Sequence, residues 1–237
     1  CAERLSDSDG ILRFREEAAA LEPHQRSHLD ALIVLRTARQ EWREVVDLRR
    51  KQLALVSDEE ERAQLWDELG DILRDKLADS AAAVSCYTKA LAVQPERRQA
   101  LYKMLDYYSL NKQWNKAVET LEKVSELEAE PTIRARGRYT LAAIYRDEMK
   151  DHAKAVEVFT QVLEDDPMFV RAFDAIERLL SEGRHWKELA RAYRRQLRRL
   201  PAEAPIELKL RLWDALASVA IKHLKNRESA ILALEVA

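Results

Sequence analysis

Apolar residues recur at intervals of three and four along most of this chain, with charged residues between them. That spacing places one apolar stripe and one charged face on an α-helix. The stripes predict helices over Ile11–Leu21, Arg26–Ala38, Trp42–Val56, Ala63–Leu77, Ser80–Val93, Arg98–Leu110 and Trp114–Glu128. They continue over Arg134–Met149, His152–Glu164, Phe169–Ser181, Trp186–Leu200, Leu208–Leu224 and Arg227–Val236. Cys1–Leu5 reads as the tail of a further helix, and Asp9-Gly10 as a helix start. Ser57-Asp58-Glu59-Glu60 has the form of an N-terminal cap followed by acids, which complement the helix dipole, and Thr132 is a second candidate cap. Pro95 blocks continuation of the helix before it. No sustained two-residue alternation and no Asn-Gly hairpin occurs, so no sheet is expected.

The same pattern returns every 72 residues. Asp79, Ala83, Tyr87, Leu91, Pro95 and Trp114 become Asp151, Ala155, Phe159, Leu163, Pro167 and Trp186, and backwards Pro95 falls on Pro23 and Trp114 on Trp42. A fixed period of this kind marks a stacked repeat array. Gly70, Ala142, Ala83, Ala155 and Ala90 are small, which lets helix axes approach. Tyr87 and Phe159 fill the space between hairpins, and the three tryptophans open second helices and clamp hairpin corners. The last pair matches at 75 residues, with the extra three near Pro201–Pro205, where a longer turn costs little. The expected units are 1–61, 62–133, 134–206 and 207–237 of a single array, cut through a repeat at both ends.

Leu69-Gly70, Ala83, Tyr87, Ala90 and Pro95 resemble the tetratricopeptide repeat, a two-helix motif, so each 72-residue unit resembles a double repeat of the kind found in bacterial proteins. The second half of the unit departs from the motif: Leu105 stands where a small residue is preferred, and no proline closes it at Ala129. The resemblance implies an all-α, right-handed solenoid of 12 or 13 antiparallel helices, a superhelix that serves as a scaffold for partners.

Lys and Arg number 40 against 42 Asp and Glu, a formal charge of -2. This balance argues against a general nucleic-acid binder. No apolar run reaches the length of a membrane span. Cys86 reads as a small buried hydrophobe and Cys1 stands alone, so no disulfide framework is expected. His24 and His28 share one helix face, but no His-Glu-x-x-His and no third ligand accompanies them, and both are expected to face solvent. His152, His185 and His223 are expected on the surface. No phosphate loop, nucleophile elbow or paired-cysteine motif occurs, so no catalytic residue, metal or cofactor is expected. Arg191, Arg194, Arg195, Arg198 and Arg199 form a basic stretch that reads as a solvated face or as a site for phosphate or an acidic partner. The five tryptophans are expected to pack in the core and at corners rather than to stack on bases.

In the resembled family the first helix of each repeat lines a concave groove. Carried over, the groove residues are Asp67, Glu68 and Asp71, with Gln64 and Asp75 beside them; then Tyr102 and Asp106, with Lys103; then Arg136, Tyr139 and Arg146; then Arg171 and Arg178, with Asp174. This groove runs from acidic to basic and would orient a peptide. The positions of the family's carboxylate clamp hold Asp71, Asp106, Ala143 and Arg178, so that clamp is not expected. The reading is a non-catalytic scaffold for a protein or peptide ligand, with no nucleic acid and no membrane insertion, and with a homodimer through terminal repeats open. Two other readings stay open: an envelope assembly lipoprotein, which rests on Cys1, and the regulatory arm of a larger multidomain enzyme or signalling protein. The compartment is open, with the cytoplasm favoured over the periplasm or a lipid anchor.

Overall fold

The computed structural model describes the backbone of residues 2–22 and 25–225, and the side chains from Gly10 onward. Among the described residues there are twelve helices and no strand. They are α1 (Ala2–Leu21), α2 (Arg26–Ala38), α3 (Trp42–Leu55), α4 (Glu59–Asp75), α5 (Ser80–Val93), α6 (Arg98–Leu110), α7 (Trp114–Leu127), α8 (Pro131–Asp147), α9 (His152–Asp165), α10 (Val170–Glu182), α11 (Trp186–Arg199) and α12 (Ile206–Lys222). The chain divides into two units, Cys1–Asn111 and Lys112–Ala237. Within each unit every helix packs on the next one along the chain. The predicted helix over Arg227–Val236, together with Cys1, Pro23 and His24, lies outside the described residues.

The turns repeat as strictly as the helices. Gln40, Lys112 and Arg184 take φ of 59°, 53° and 55°, and Ala78, Lys150 and Lys225 take 53°, 56° and 53°. The left-handed residues therefore recur at a fixed register, Gln40, Ala78, Lys150 and Arg184 each turning a hairpin within one unit, and none of the six is glycine. A Cβ in that conformation costs about 1–2 kcal/mol, so at those four turns the packed helices on either side hold it in place. Side chains close the helix starts that follow. The carboxylates of Asp58, Asp79 and Asp151 accept from the N–H groups of Glu61, Ala82 and Lys154 at 2.9, 3.0 and 2.9 Å. At α8 the expected cap is displaced. Pro131 occupies the first turn, and Glu130, not Thr132, caps it by accepting from the Thr132 N–H. Proline has no N–H to lose there, which lets the helix begin one turn earlier than the apolar stripe.

Two hairpins, α4/α5 and α8/α9, pack most intimately. Small residues explain it: Ala63, Ala83 and Ala90 in the first, and Ala135, Ala142 and Ala155 in the second, are all buried. Gly70 is needed for a closer reason. A Cβ there would fall 2.4 Å from Cε1 of Tyr87. Tyr87 and Phe159 are the buried aromatic fillers of these hairpins. Burial also pushes the Cys86 thiol above its usual pKa, as for a packing residue rather than a nucleophile.

Some expectations need correction. α1 is one unbroken helix through Gly10, not a tail followed by a new start. A break there would leave Ala2–Leu5 as one isolated turn, too short to hold itself, while continuing the helix pairs the backbone groups of the intervening residues. His28 is not solvent-facing. Its side chain is only 17 % exposed and its Nε2 lies 3.3 Å from Glu22 Oε2. The five tryptophans are half-buried. Trp42 and Trp186 reach beyond their own turns: Lys76, after α4, lies over the Trp42 ring, and His223, after α12, stacks on Trp186 at 3.6 Å between centroids. Both partners are the residues that end a helix, so each tryptophan covers the end of the following first helix.

Candidate functional site

The first helices of the hairpins, α4 and α6 in one unit and α8 and α10 in the other, carry all the predicted groove residues. In the Cys1–Asn111 unit, α4 turns Asp67, Glu68 and Asp71 toward cations on neighbouring helices. Arg97, just before α6, donates from Nε to Asp67 Oδ2 at 2.5 Å, and Asp67 is only 13 % exposed. Arg49 of α3 pairs with Glu68 at 2.9 Å, and Gln64 donates to the same carboxylate. Asp71 accepts from Lys103 of α6 at 2.5 and 2.8 Å and from the Tyr87 hydroxyl at 2.8 Å. Burial first, and then this hydrogen bond to a carboxylate, push the Tyr87 hydroxyl well above the usual tyrosine pKa. Asp75 is held below the usual carboxylate range by Arg74, which donates to both its oxygens.

Each of these acids therefore has a cation beside it: Arg49, Arg97 and Lys103 come from elsewhere in the fold, and only the packing brings them within reach. On α6, Tyr102 and Asp106 are exposed. Gln64 and Asp75 of α4 are exposed as well, but both are engaged within the helix, with Glu68 and Arg74.

In the Lys112–Ala237 unit the same register holds different chemistry. Tyr139 stands where Asp67 stood, and Phe169 where Arg97 stood. Their rings stack at 5.1 Å and 27°, and Tyr139 also leans on Phe159 at 5.4 Å. Ala143 and Ala175 replace Asp71 and Lys103. Arg134 and Arg138 both donate to Asp165, a side chain only 6 % exposed. Arg146 donates twice to Asp147, at 2.8 and 2.7 Å, and so holds that carboxylate below its usual pKa. Arg178 is exposed and pairs along α10 with Glu182 at 2.9 Å. Asp174 accepts from Arg211 of α12. Arg136 and Arg171 are exposed and make no ion pair among the described residues.

Tyr193 of α11 reproduces the Tyr87 arrangement in this unit, donating to Glu177 at 2.5 Å. The sequence carried that signal, since Asp71–Tyr87 and Glu177–Tyr193 have the same separation. The stack of Tyr139 on Phe169 was equally visible as the shifted copy of Asp67 and Arg97.

The model of the tetratricopeptide repeat family matches residues 63–97 and 135–167. These are the segments that form α4/α5 and α8/α9, the hairpins with the closest helix approach. They are tetratricopeptide repeats. No curated protein matches the chain. Among solved structures, the C-terminal part of a TPR repeat-containing protein from Cytophaga hutchinsonii is 14 % identical over 98 % of this chain and 91 % of its own, with a TM-score of 0.45. Pseudomonas aeruginosa pilF is 21 % identical over 94 % and 91 %, with a TM-score of 0.39. YrrB, described as a TPR protein with an unusual peptide-binding site, is 16 % identical over 73 % and 83 %, with a TM-score of 0.40. These are distant likenesses. No described helix is long and apolar enough to cross a membrane.

Proposed function

We propose that this tetratricopeptide-repeat chain is a non-catalytic scaffold that holds a peptide or protein partner against its first helices. The observation that carries this reading is the pair Arg136 and Arg171, exposed on first helices and free of ion pairs among the described residues. Arg178, 79 % exposed, is held only by a pair along its own helix, which contributes little and exchanges readily. Arg136, Arg171 and Arg178 thus supply cations to carboxylates of the partner, and the half-buried Tyr139 beside them supplies an apolar contact with a hydroxyl tip. Arg146 is engaged by Asp147 and gives less. In the other unit Tyr102 and Asp106 are the contact residues, while Asp67, Glu68 and Asp71 serve the fold. The repeat units run over 1–61, 62–133, 134–206 and 207–237.

Triple charge reversal of Arg136, Arg171 and Arg178 to Glu tests the proposal. Captured partners from native lysate are compared with those of the unaltered chain, after circular dichroism confirms equal helicity. Loss of the carboxylate-bearing partners is expected. An identical partner set from both proteins would rule the first-helix face out.

A further inference from the structure

The second helices of the Lys112–Ala237 unit enclose a feature that the first-helix reading leaves unused. A cleft of about 490 Å³ lies between α9 and α11, floored by Phe173, Ile176 and Leu180 of α10. Toward the turns it meets a second hollow of about 610 Å³, which shares Ala153, Val156, Leu180 and Glu188 with it. The two form one channel reaching from His152 and His185 to Glu164 and Arg199. Twelve to fourteen helical residues span about 18–21 Å, so the channel is as long as three to four turns of a helix.

Its walls differ in charge. The α11 wall carries Arg191 and Arg195, both exposed, between Glu188 in its first turn and Arg199 at the far end, held by Glu164 at 2.5 Å. Arg191 and Arg195, with Arg194 and Arg198 further round the same helix, make no ion pair among the described residues. Leu189, Ala190, Tyr193 and Gln196 are buried, and this fixes the arginines on the open side. The α9 wall carries Glu157 and Glu164. The comparable cleft of the other unit, between α1 and α3, carries Asp47 and Lys51 where this wall carries Arg191 and Arg195, and the Arg36 on its floor is bridged to Glu16 and Glu41.

We infer that the α9–α11 channel is a docking site for an amphipathic helix of a partner protein, one that carries Asp or Glu along the flank facing α11 and apolar residues toward Val156 and Leu180. Uncompensated arginines beside a half-apolar floor fit such a helix. Glu157 and Glu164 on the facing wall repel a polyanion, which disfavours nucleic acid, and a recessed channel between helices does not meet a flat lipid surface. The site is separate from the first-helix face, so its success or failure is read independently of the function proposed above.

The test selects 14-residue helical peptides, the length of α11, from a displayed library against the whole chain. The tightest peptide is then measured by fluorescence anisotropy. The expected winners are amphipathic with one acidic flank. R191E/R195E weakens them by about tenfold or more, and A192W, which fills the channel without changing its charge, also blocks them. The triple variant at Arg136, Arg171 and Arg178 leaves them bound. Thermal melts confirm that the variants fold; if the reversal does not, R191Q/R195Q replaces it. Winners without an acidic flank, no winner at all, or affinity unchanged by both channel variants would overturn the assignment. So would anionic vesicles or single-stranded DNA binding through Arg191 and Arg195 in place of peptides.

Discussion

Asp67, Arg97, Asp71, Tyr87 and Lys103 in one unit occupy the register of Tyr139, Phe169, Ala143, Phe159 and Ala175 in the other. The backbone is the same: two helices, one left-handed turn and a buried aromatic ring at the crossing. In the first case the ring carries a hydroxyl, and a carboxylate, an ammonium and a guanidinium gather around it. In the second the hydroxyl is gone, the carboxylate and ammonium have gone with it, and three rings pack together with the Arg146 guanidinium 5.6 Å over the Phe159 ring. The exchange is concerted because a half-built polar network, with one buried charge unmatched, is worse than either complete solution. It also has a consequence for partners. The polar version pairs its own charges, while on the aromatic side the first-helix arginines Arg134, Arg138 and Arg146 are paired to Asp165 and Asp147 and only Arg136 and Arg171 make no ion pair among the described residues.

Phe159→Ala removes the most buried ring of the aromatic cluster and should cost about 3–5 kcal/mol in urea denaturation, whereas Tyr87→Phe, which removes only a hydroxyl, should cost about 1 kcal/mol. Equal effects would mean that the two rings do not play the same part. Next in size, Arg97→Ala strands the largely buried Asp67 and should cost about 2 kcal/mol. Transplanting the other solution, as Asp67→Tyr with Arg97→Phe, should recover most of that loss. Gly70→Ala gains about 1 kcal/mol of helix propensity but drives a methyl into the Tyr87 ring. A net loss of about 1–2 kcal/mol is expected, and a neutral result would show that the ring gives way freely.

Alkaline pH separates the units from their unfolded state in a predictable direction. Tyr87 and Tyr193 are held neutral by burial and by the carboxylates they donate to. Their folded pKa values are raised, so their contribution is complete below the ordinary tyrosine pKa, about 10, and fades as pH rises above it. Melting temperature should fall in that range, and less steeply in Y87F/Y193F. The smallest effect is a gain. Ala78→Gly relieves a left-handed Cβ and should stabilise by about 1 kcal/mol or less.

The helices and their register were legible because apolar spacing and a fixed repeat are local properties of the sequence. Arg26–Ala38, Ser80–Val93 and Arg98–Leu110 are found at the expected residues. Gly70 and Ala142 were recognisable as close-approach positions for the same reason. The groove was less legible. Asp67, Glu68 and Asp71 read as an acidic surface because their partners lie about 20 to 30 residues away on other helices, and only the packing discloses them. The unbroken α1 was missed because the repeat pattern argued for a turn, while the local hydrogen bonds of a short segment argued for helix and prevailed.

One unit pairs its first-helix charges internally, while the other holds stacked rings at the same register. Paired double-mutant cycles on Asp67/Arg97 and Tyr139/Phe169, each run at low and high salt, separate the two. A coupling of about 1–2 kcal/mol that shrinks with salt is expected for Asp67/Arg97, and one of about 1 kcal/mol that does not change with salt for Tyr139/Phe169. A coupling near zero between Asp67 and Arg97 would mean that those acids are available to a partner after all.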